Sequence, residues 1–348
     1  MTRRQRFAAA IDDGATPVAR ENGAAVCPCR AEIALRKLPR APSLPPMVAS
    51  FLAAFFFALN ATCASHSVRA NGSARANLGR LIVAVIALGA FAHTLGRGFA
   101  SASVGWFVLS GVIGMGLGDL GTYGALPLLG SRLTVLMTQC LAAPIAAAGE
   151  WCWLGTRLTA AQAAWGLLIL LGVAVAITPS KTNPPRVTVR PVGFLLGLLA
   201  AAGQGLGALV SRKGVNVAEA AGEAAHNATF GVTAAYHRIL AGLVFTALWF
   251  FVLKRLGRLP DGAGAEPRRT HFGWMLANGL AGPVIAVASY QWALATTPSG
   301  IVLPIAATAP LLSMPIAFWL EGDRPAKRAI AGGVLAVGGC IGLTIARH

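Results

Sequence analysis

The sequence predicts an all-α integral membrane protein whose ten transmembrane helices form two inverted five-helix repeats. Three observations carry this. Of 348 residues, 55% are hydrophobic and 12% charged, against roughly 25% charged in an ordinary soluble domain. Apolar stretches of about 20 residues, enough to cross a hydrocarbon core of roughly 30 Å, recur from Met47 to the C-terminus. Positions in the first half also return in the second after 166 to 168 residues.

Such a chain has too little polar surface to cover a water-soluble globule. Its 41 glycines and 20 prolines suit membrane helices, where neighbouring helices repair the backbone. A formal charge of +17 on one compact face would point to nucleic acid. Here the cations are dotted through the gaps, as at Arg69, Arg75 and Arg80 or Lys254, Arg255 and Arg258, without interleaved aromatics. They read as the orienting charges of a membrane protein, and no nucleic-acid partner is expected.

Residues 1–46 differ in composition, with eight Lys/Arg, four Asp/Glu and no apolar run long enough for a signal-peptide core. Arg3-Arg4 lacks the apolar stretch that a twin-arginine signal needs. The arm reads as disordered, or as lying upstream of a true start at Met47. The expected spans are 47–65, 81–95, 104–126, 133–154, 160–178, 192–211, 237–253, 272–294, 300–320 and 328–346. The second and seventh are short and lean on their flanks. The polar, proline-rich break Ser180-Lys181-Thr182-Asn183-Pro184-Pro185-Arg186 separates five spans from five. The units are therefore a first repeat over 47–179, a linker over 180–191 and a second repeat over 192–346.

The repeats are visible residue by residue. Tyr123, Ala125 and Leu126 match Tyr290, Ala293 and Leu294; Ala143-Pro144-Ile145 matches Ala309-Pro310-Leu311. Trp153-Leu154 matches Trp319-Leu320, and Gly166 and Gly172 match Gly333 and Gly339. Five is odd, so the second copy must cross the membrane in the opposite sense. Inverted repeats are how many secondary carriers alternate access to a central site.

The run Gly118-Asp119, Tyr123 to Leu126 and Gly130-Ser131-Arg132, leading to Pro144 and Trp153 to Thr159, resembles the repeat of the EamA family in the drug/metabolite transporter superfamily. Its second copy, Gln291 to Leu294, Ile301 to Pro304, Ala309 to Leu311 and Trp319 to Pro325, resembles it more closely. The resemblance covers residues 47–346. It implies a ten-helix carrier of the bacterial inner membrane that exports metabolites, amino acids or drug-like molecules, driven by an ion or substrate gradient without ATP. The family's acid-Arg pair after the fourth span reads Thr156-Arg157 here, while the second copy keeps Asp323-Arg324.

Ionisable groups are costly at membrane depth and mark candidate sites. Of the acids, only Asp119 and Glu150 fall inside apolar spans, so both are candidates for proton coupling. Asp119 stands among glycines that let another helix approach, and its alternative role is a packing hydrogen bond to backbone or to Arg132. Glu150, near the end of the fourth span, is expected to snorkel to the interface. The remaining candidates for a substrate cavity are Asn60, Tyr123, Gln139, Gln204, Tyr290, Gln291 and Thr308, whose alternative is interhelical hydrogen bonding. Pro144, Pro304, Pro310 and Pro315 are candidate helix breaks, which free backbone carbonyls toward a cavity. His237 and Arg238 read as interfacial anchors at the start of the seventh span.

Cys27 and Cys29 lack the second ligand pair of a zinc site, and no metal or cofactor is expected. No P-loop, H-E-x-x-H, G-x-S-x-G or Cys/His nucleophile arrangement is present, which disfavours an intramembrane enzyme. A sensor or assembly module is the remaining alternative to a carrier. The expected partners are a lipid bilayer, a small-molecule substrate and a coupling proton. Lys/Arg counts in the gaps put both termini outside, the arm evens the count, and the resemblance implies cytoplasmic termini.

Overall fold

A computed structural model describes residues 46–177, 190–258, 268–309, 311–312, 315 and 327–346. These belong to one compact unit, Leu44–His348. The arm, most of the linker, Pro310, and Trp319 through Asp323-Arg324 lie outside the described residues. All described secondary structure is helical: α1 (Pro46–Asn71), α2 (Ser73–Thr94), α3 (Val104–Gly111), α4 (Asp119–Gly149), α5 (Ala160–Ile177), α6 (Pro191–Ala220) and α7 (Ala228–Arg255) are followed by α8 (Arg268–Gly279), α9 (Val287–Thr296), α10 (Ser299–Ala306) and α11 (Lys327–Ile345). Three π-helical stretches, Val112–Gly118, Glu150–Leu154 and Leu280–Ala286, join or extend them.

Among the described residues, six helices are long and apolar enough to cross a membrane: Met47–Asn71, Ser73–Thr94, Val104–Leu129, Pro191–Ala220, Ala228–Arg255 and Phe272–Thr296. Large apolar side chains such as Ile86, Leu171, Leu195, Leu248 and Val334 point outward, a surface suited to acyl chains rather than water.

Several boundaries differ from the expected ones. Helix α2 begins at Ser73 rather than 81, because Asn77 and Arg80 are buried and continue the inward face. Helix α7 begins at Ala228 rather than 237: Asn227 accepts the Phe230 N–H at 2.7 Å and caps it, satisfying one of the free donors of a helix start. Helix α6 runs to Ala220, since Arg212 finds partners inside the bundle. Gly72, at φ 77°, provides the single-residue turn between α1 and α2, a conformation that costs a residue with a Cβ.

Helix α4 is not one straight rod. Gly118, just before it, packs on Gly203, and Ala142, inside it, packs on Gly205, two residues further along α6. On a straight helix, Gly118 and Ala142 would stand roughly 36 Å apart. The chain therefore doubles back beyond Leu129, giving the third and fourth expected spans side by side against α6.

The two halves touch reciprocally. Gly111 lies on the backbone of Arg238, and Gly279 lies on the backbone of Arg80. The π-helical stretches that follow these glycines start at Val112 and Leu280 and end at Gly118 and Ala286. All three comparisons give one offset, 168 residues (279 minus 111, 280 minus 112, 286 minus 118). Helices α2 and α7 are antiparallel, since Gly89 meets Tyr236 and Gly96 meets Thr233; α5 and α11 are too, since Gly172 meets Ala336 and Gly339 meets Ile169. The offset also corrects the pairing of the tyrosines. Tyr123 stands in register with Gln291, and Tyr290 with Thr122.

Candidate functional site

The polar residues of the interior gather around two buried arginines. Arg80 enters from α2, on the stripe Ala76, Arg80, Ala84, Leu88, Ala92, whose other members are small or apolar and buried. Its Nε donates to Asn77 Oδ1 at 2.9 Å, its Nη2 forms an ion pair with Asp119, and its guanidinium lies 5.0 Å from the centre of the Tyr123 ring. One cation thus meets a carboxylate, an amide oxygen and an aromatic face, the three partners that offset burial of a guanidinium.

Arg238 enters from α7 and is 4% exposed. Its Nη1 donates to Gln291 Oε1 at 2.5 Å. Gln291 Nε2 donates to Ser211 Oγ at 3.1 Å, and Ser110 Oγ donates to the Gly207 carbonyl at 2.6 Å. The 2.8 Å contact between Ser110 and Ser211 must then run from the Ser211 hydroxyl to Ser110. The chain of donors is fixed in direction and carries no negative charge. Arg238 Nη2 fits between α3–α4 and α6 because Gly114 and Gly207 have no side chain, a Cβ at Gly114 falling 2.7 Å from it.

A third cluster ties the halves near the ends of α4 and α9. Glu150 is 2% exposed. Both its oxygens accept the Ser299 N–H at 3.1 Å, and Arg212 Nε stands 3.3 Å away while Arg212 Nη1 donates to the Leu294 carbonyl at 2.5 Å. A cavity of about 220 Å³ lies elsewhere, where the loops after α2 and α6 meet, lined by Arg97, Glu223, Thr229, Thr233 and His237 among others. Its lining follows α7 from Thr229 to His237, roughly 12 Å of helix. At its rim, Glu223 accepts from Ala102 N at 2.7 Å and Ser101 Oγ at 2.9 Å and lies 3.3 Å from Arg97.

Residues 191–345 match the model of the EamA-like transporter family. A solved crystal structure shares the fold with a TM-score of 0.65 and 19% identity, over 87% of this chain and 97% of its own. No curated protein matches the chain in sequence.

The EamA-like half contributes Arg238, Tyr290 and Gln291, while Arg80, Asp119 and Tyr123 come from the half before it. Asp119, Tyr123 and Gln291 therefore stand among the arginine clusters. Tyr290 is 4% exposed, and its hydroxyl has no hydrogen-bond partner among the described residues. Asn60 sits against Gly282 of the third π-helical stretch, with Oδ1 buried and unpaired. Gln204 is partly buried on α6. Thr308 is turned back onto the Ile305 carbonyl at 2.7 Å and joins neither cluster. The side chain of Gln139 lies outside the described residues, as does Pro310. Pro144 lies within α4 and Pro304 within α10, with the helix continuing through each; Pro315 is exposed.

Three expectations are corrected. Glu150 is buried and bonded rather than snorkelling, because the Ser299 N–H and Arg212 satisfy it inside the bundle. Asp119 pairs with Arg80, whereas the expected packing partners were backbone or Arg132. His237 and Arg238 are 1% and 4% exposed and stand inside α7, not at its start. Arg80 was hidden by its position just before the expected second span, and Arg238 by its position at the start of the seventh, where each reads as an interfacial charge. The legible signal was the helical stripe on which each falls, Ala76 to Ala92 for Arg80 and Gly231, Ala234, Ala241 and Gly242 around Arg238.

Proposed function

We propose that this chain is a secondary transporter that exports small organic solutes across the bacterial inner membrane by alternating access between two inverted five-helix repeats, residues 47–179 and 192–346. The observation that carries the reading is the reciprocal packing of the Arg80 backbone against Gly279 and of the Arg238 backbone against Gly111. Each half packs its second helix against the other half's third, and the two second helices, which carry the buried arginines, run antiparallel. An arrangement of that kind has two equivalent ways to pack, which is what alternating access needs. Charged groups at membrane depth are expensive unless they serve a path for solute or ion.

Asp119 is the candidate for the coupling proton, because both oxygens of Glu150 already hold the start of α10. Asn60, Tyr290 and Gln291 complete the cavity candidates. The experiment is uptake by proteoliposomes of the purified chain, screened over amino acids, metabolites and drug-like compounds with and without an imposed pH gradient. A solute that moves only with the protein present supports the reading. No movement of any solute, in a preparation that stays folded, removes it. Both termini face the cytoplasm on this reading, and a C-terminal reporter active only in the periplasm would reverse that orientation.

A further inference from the structure

The two arginines stand on matching helices, the second of each half, and are unequal in charge balance. With the offset of 168 residues, the position in register with Asp119 is Val287, a buried apolar residue. Arg80 therefore has a carboxylate of its own, while Arg238 meets only the neutral amide of Gln291. Among the described residues no carboxylate oxygen lies within 4 Å of Arg238. Asp119 is near enough to interact with it electrostatically but is already paired with Arg80, and Glu150 is held by Ser299 and Arg212. Among the described residues the interior is left one negative charge short, at a residue 4% exposed.

The donors that remain have a shape. Nη1 of Arg238 is used by Gln291; Nε is buried without a partner, and Nη2 donates to nothing among the described residues. Nε and Nη2 form the side-on edge of the guanidinium, whose two parallel N–H bonds match the two oxygens of a carboxylate. The Tyr290 hydroxyl, one residue before Gln291 on α9, is also buried and unpaired.

We infer that the transported solute is a small organic monoanion whose carboxylate is held by the Nε and Nη2 edge of Arg238 beside the Tyr290 hydroxyl, taking the place that Asp119 fills for Arg80. This names the substrate class of the transport site proposed above and rests on that reading. One negative charge neutralises the site, whereas a phosphate, carrying more than one, would reverse its sign.

The test uses the full chain in detergent and two size-matched series: phenylacetate, phenylacetamide and phenethylamine, and butyrate, butyramide and butylamine. Thermal unfolding reads binding, and uptake into proteoliposomes reads transport. The carboxylates should raise the unfolding temperature, and the amides and amines should not. Val287→Asp, which supplies the missing acid from within the chain, should weaken carboxylate binding by roughly ten- to a hundredfold, and Arg238→Gln should do the same. Val287→Asn, of the same size and neutral, should keep it. The inference is overturned by equal stabilisation from amide or amine, by no effect of either carboxylate, or by equal loss in V287D and V287N. Uptake of an amine or amide without carboxylate binding would leave transport standing and remove the anion site. Carboxylate-specific stabilisation without uptake of any probe would keep the anion site and remove the transporter reading.

Discussion

Glu150 holds Ser299 by its backbone: the single N–H of Ser299 is shared between the two carboxylate oxygens, each at 3.1 Å. Ser299 opens α10, and the first N–H groups of a helix have no partner within it. A carboxylate there satisfies one of them and complements the positive end of the helix dipole. Arg212, from α6, closes the cluster, so one acid of the first half fixes two helices of the second.

Glu150→Ala should therefore destabilise the folded protein by about 3–5 kcal/mol, because it leaves Arg212 largely buried without its acid. Glu150→Gln should cost less, since an amide oxygen can still accept from Ser299. Unfolding in detergent measures both. Wild-type stability in E150A would mean that the cluster adds nothing to the fold.

The close approaches at Gly111 and Gly279 make a matched pair of tests. A Cβ at Gly111 would fall 2.7 Å from Arg238 Cα, and one at Gly279 would fall 2.8 Å from Val83 Cβ. Backbone and β-carbon cannot swing aside, so each Gly→Ala change should cost about 1–3 kcal/mol. Gly333→Ala meets nothing within 4 Å and should stay within about 0.5 kcal/mol of wild type. Equal melting of all three variants would contradict the reciprocal packing.

Much of this architecture was legible because lipid imposes simple rules. A span must be apolar and about 20 residues long, and the gaps between such runs were readable from Met47 onward. Asp119, Tyr123 and Gln291 were legible as polar residues in apolar surroundings. Arg80 and Arg238 were not, since a cation beside an apolar run reads equally as an interfacial charge, and only the packing of Gly279 and Gly111 decides between them. The one-residue error between Tyr123 and Tyr290 has a similar cause. Matching identical residue types favoured the tyrosines, while the neighbouring Ala125-Leu126 and Ala293-Leu294 already held the 168-residue register.

Tyr290→Phe separates packing from recognition. The Tyr290 ring makes an edge contact with Phe57, centroids 6.0 Å apart, and its hydroxyl is unpaired. Removing the hydroxyl relieves a buried polar group, so stability should be unchanged or rise by about 1 kcal/mol. Affinity for the transported solute should fall, by up to roughly tenfold for one lost hydrogen bond. A melting temperature well below wild type would place the hydroxyl in an unseen structural bond instead.

The pairing of Asp119 with Arg80 changes what substitution there can reveal. Asp119→Asn alone strips a buried guanidinium of its only carboxylate partner, and by the cost of breaking a buried pair it should lose about 3–5 kcal/mol. Lost transport in that variant is then ambiguous between damage and chemistry. Replacing both partners, Arg80→Met with Asp119→Leu, removes the charges together, and an apolar pair of similar volume often restores or raises stability. The double variant should thus fold with at least the stability of D119N and yet fail to couple solute movement to a pH gradient. Stability, read by unfolding in detergent, and coupling, read in proteoliposomes, move in opposite directions if Asp119 carries the proton. Gradient-driven uptake at the wild-type rate in the double variant would reduce the pair to a structural contact and take Asp119 out of the coupling step.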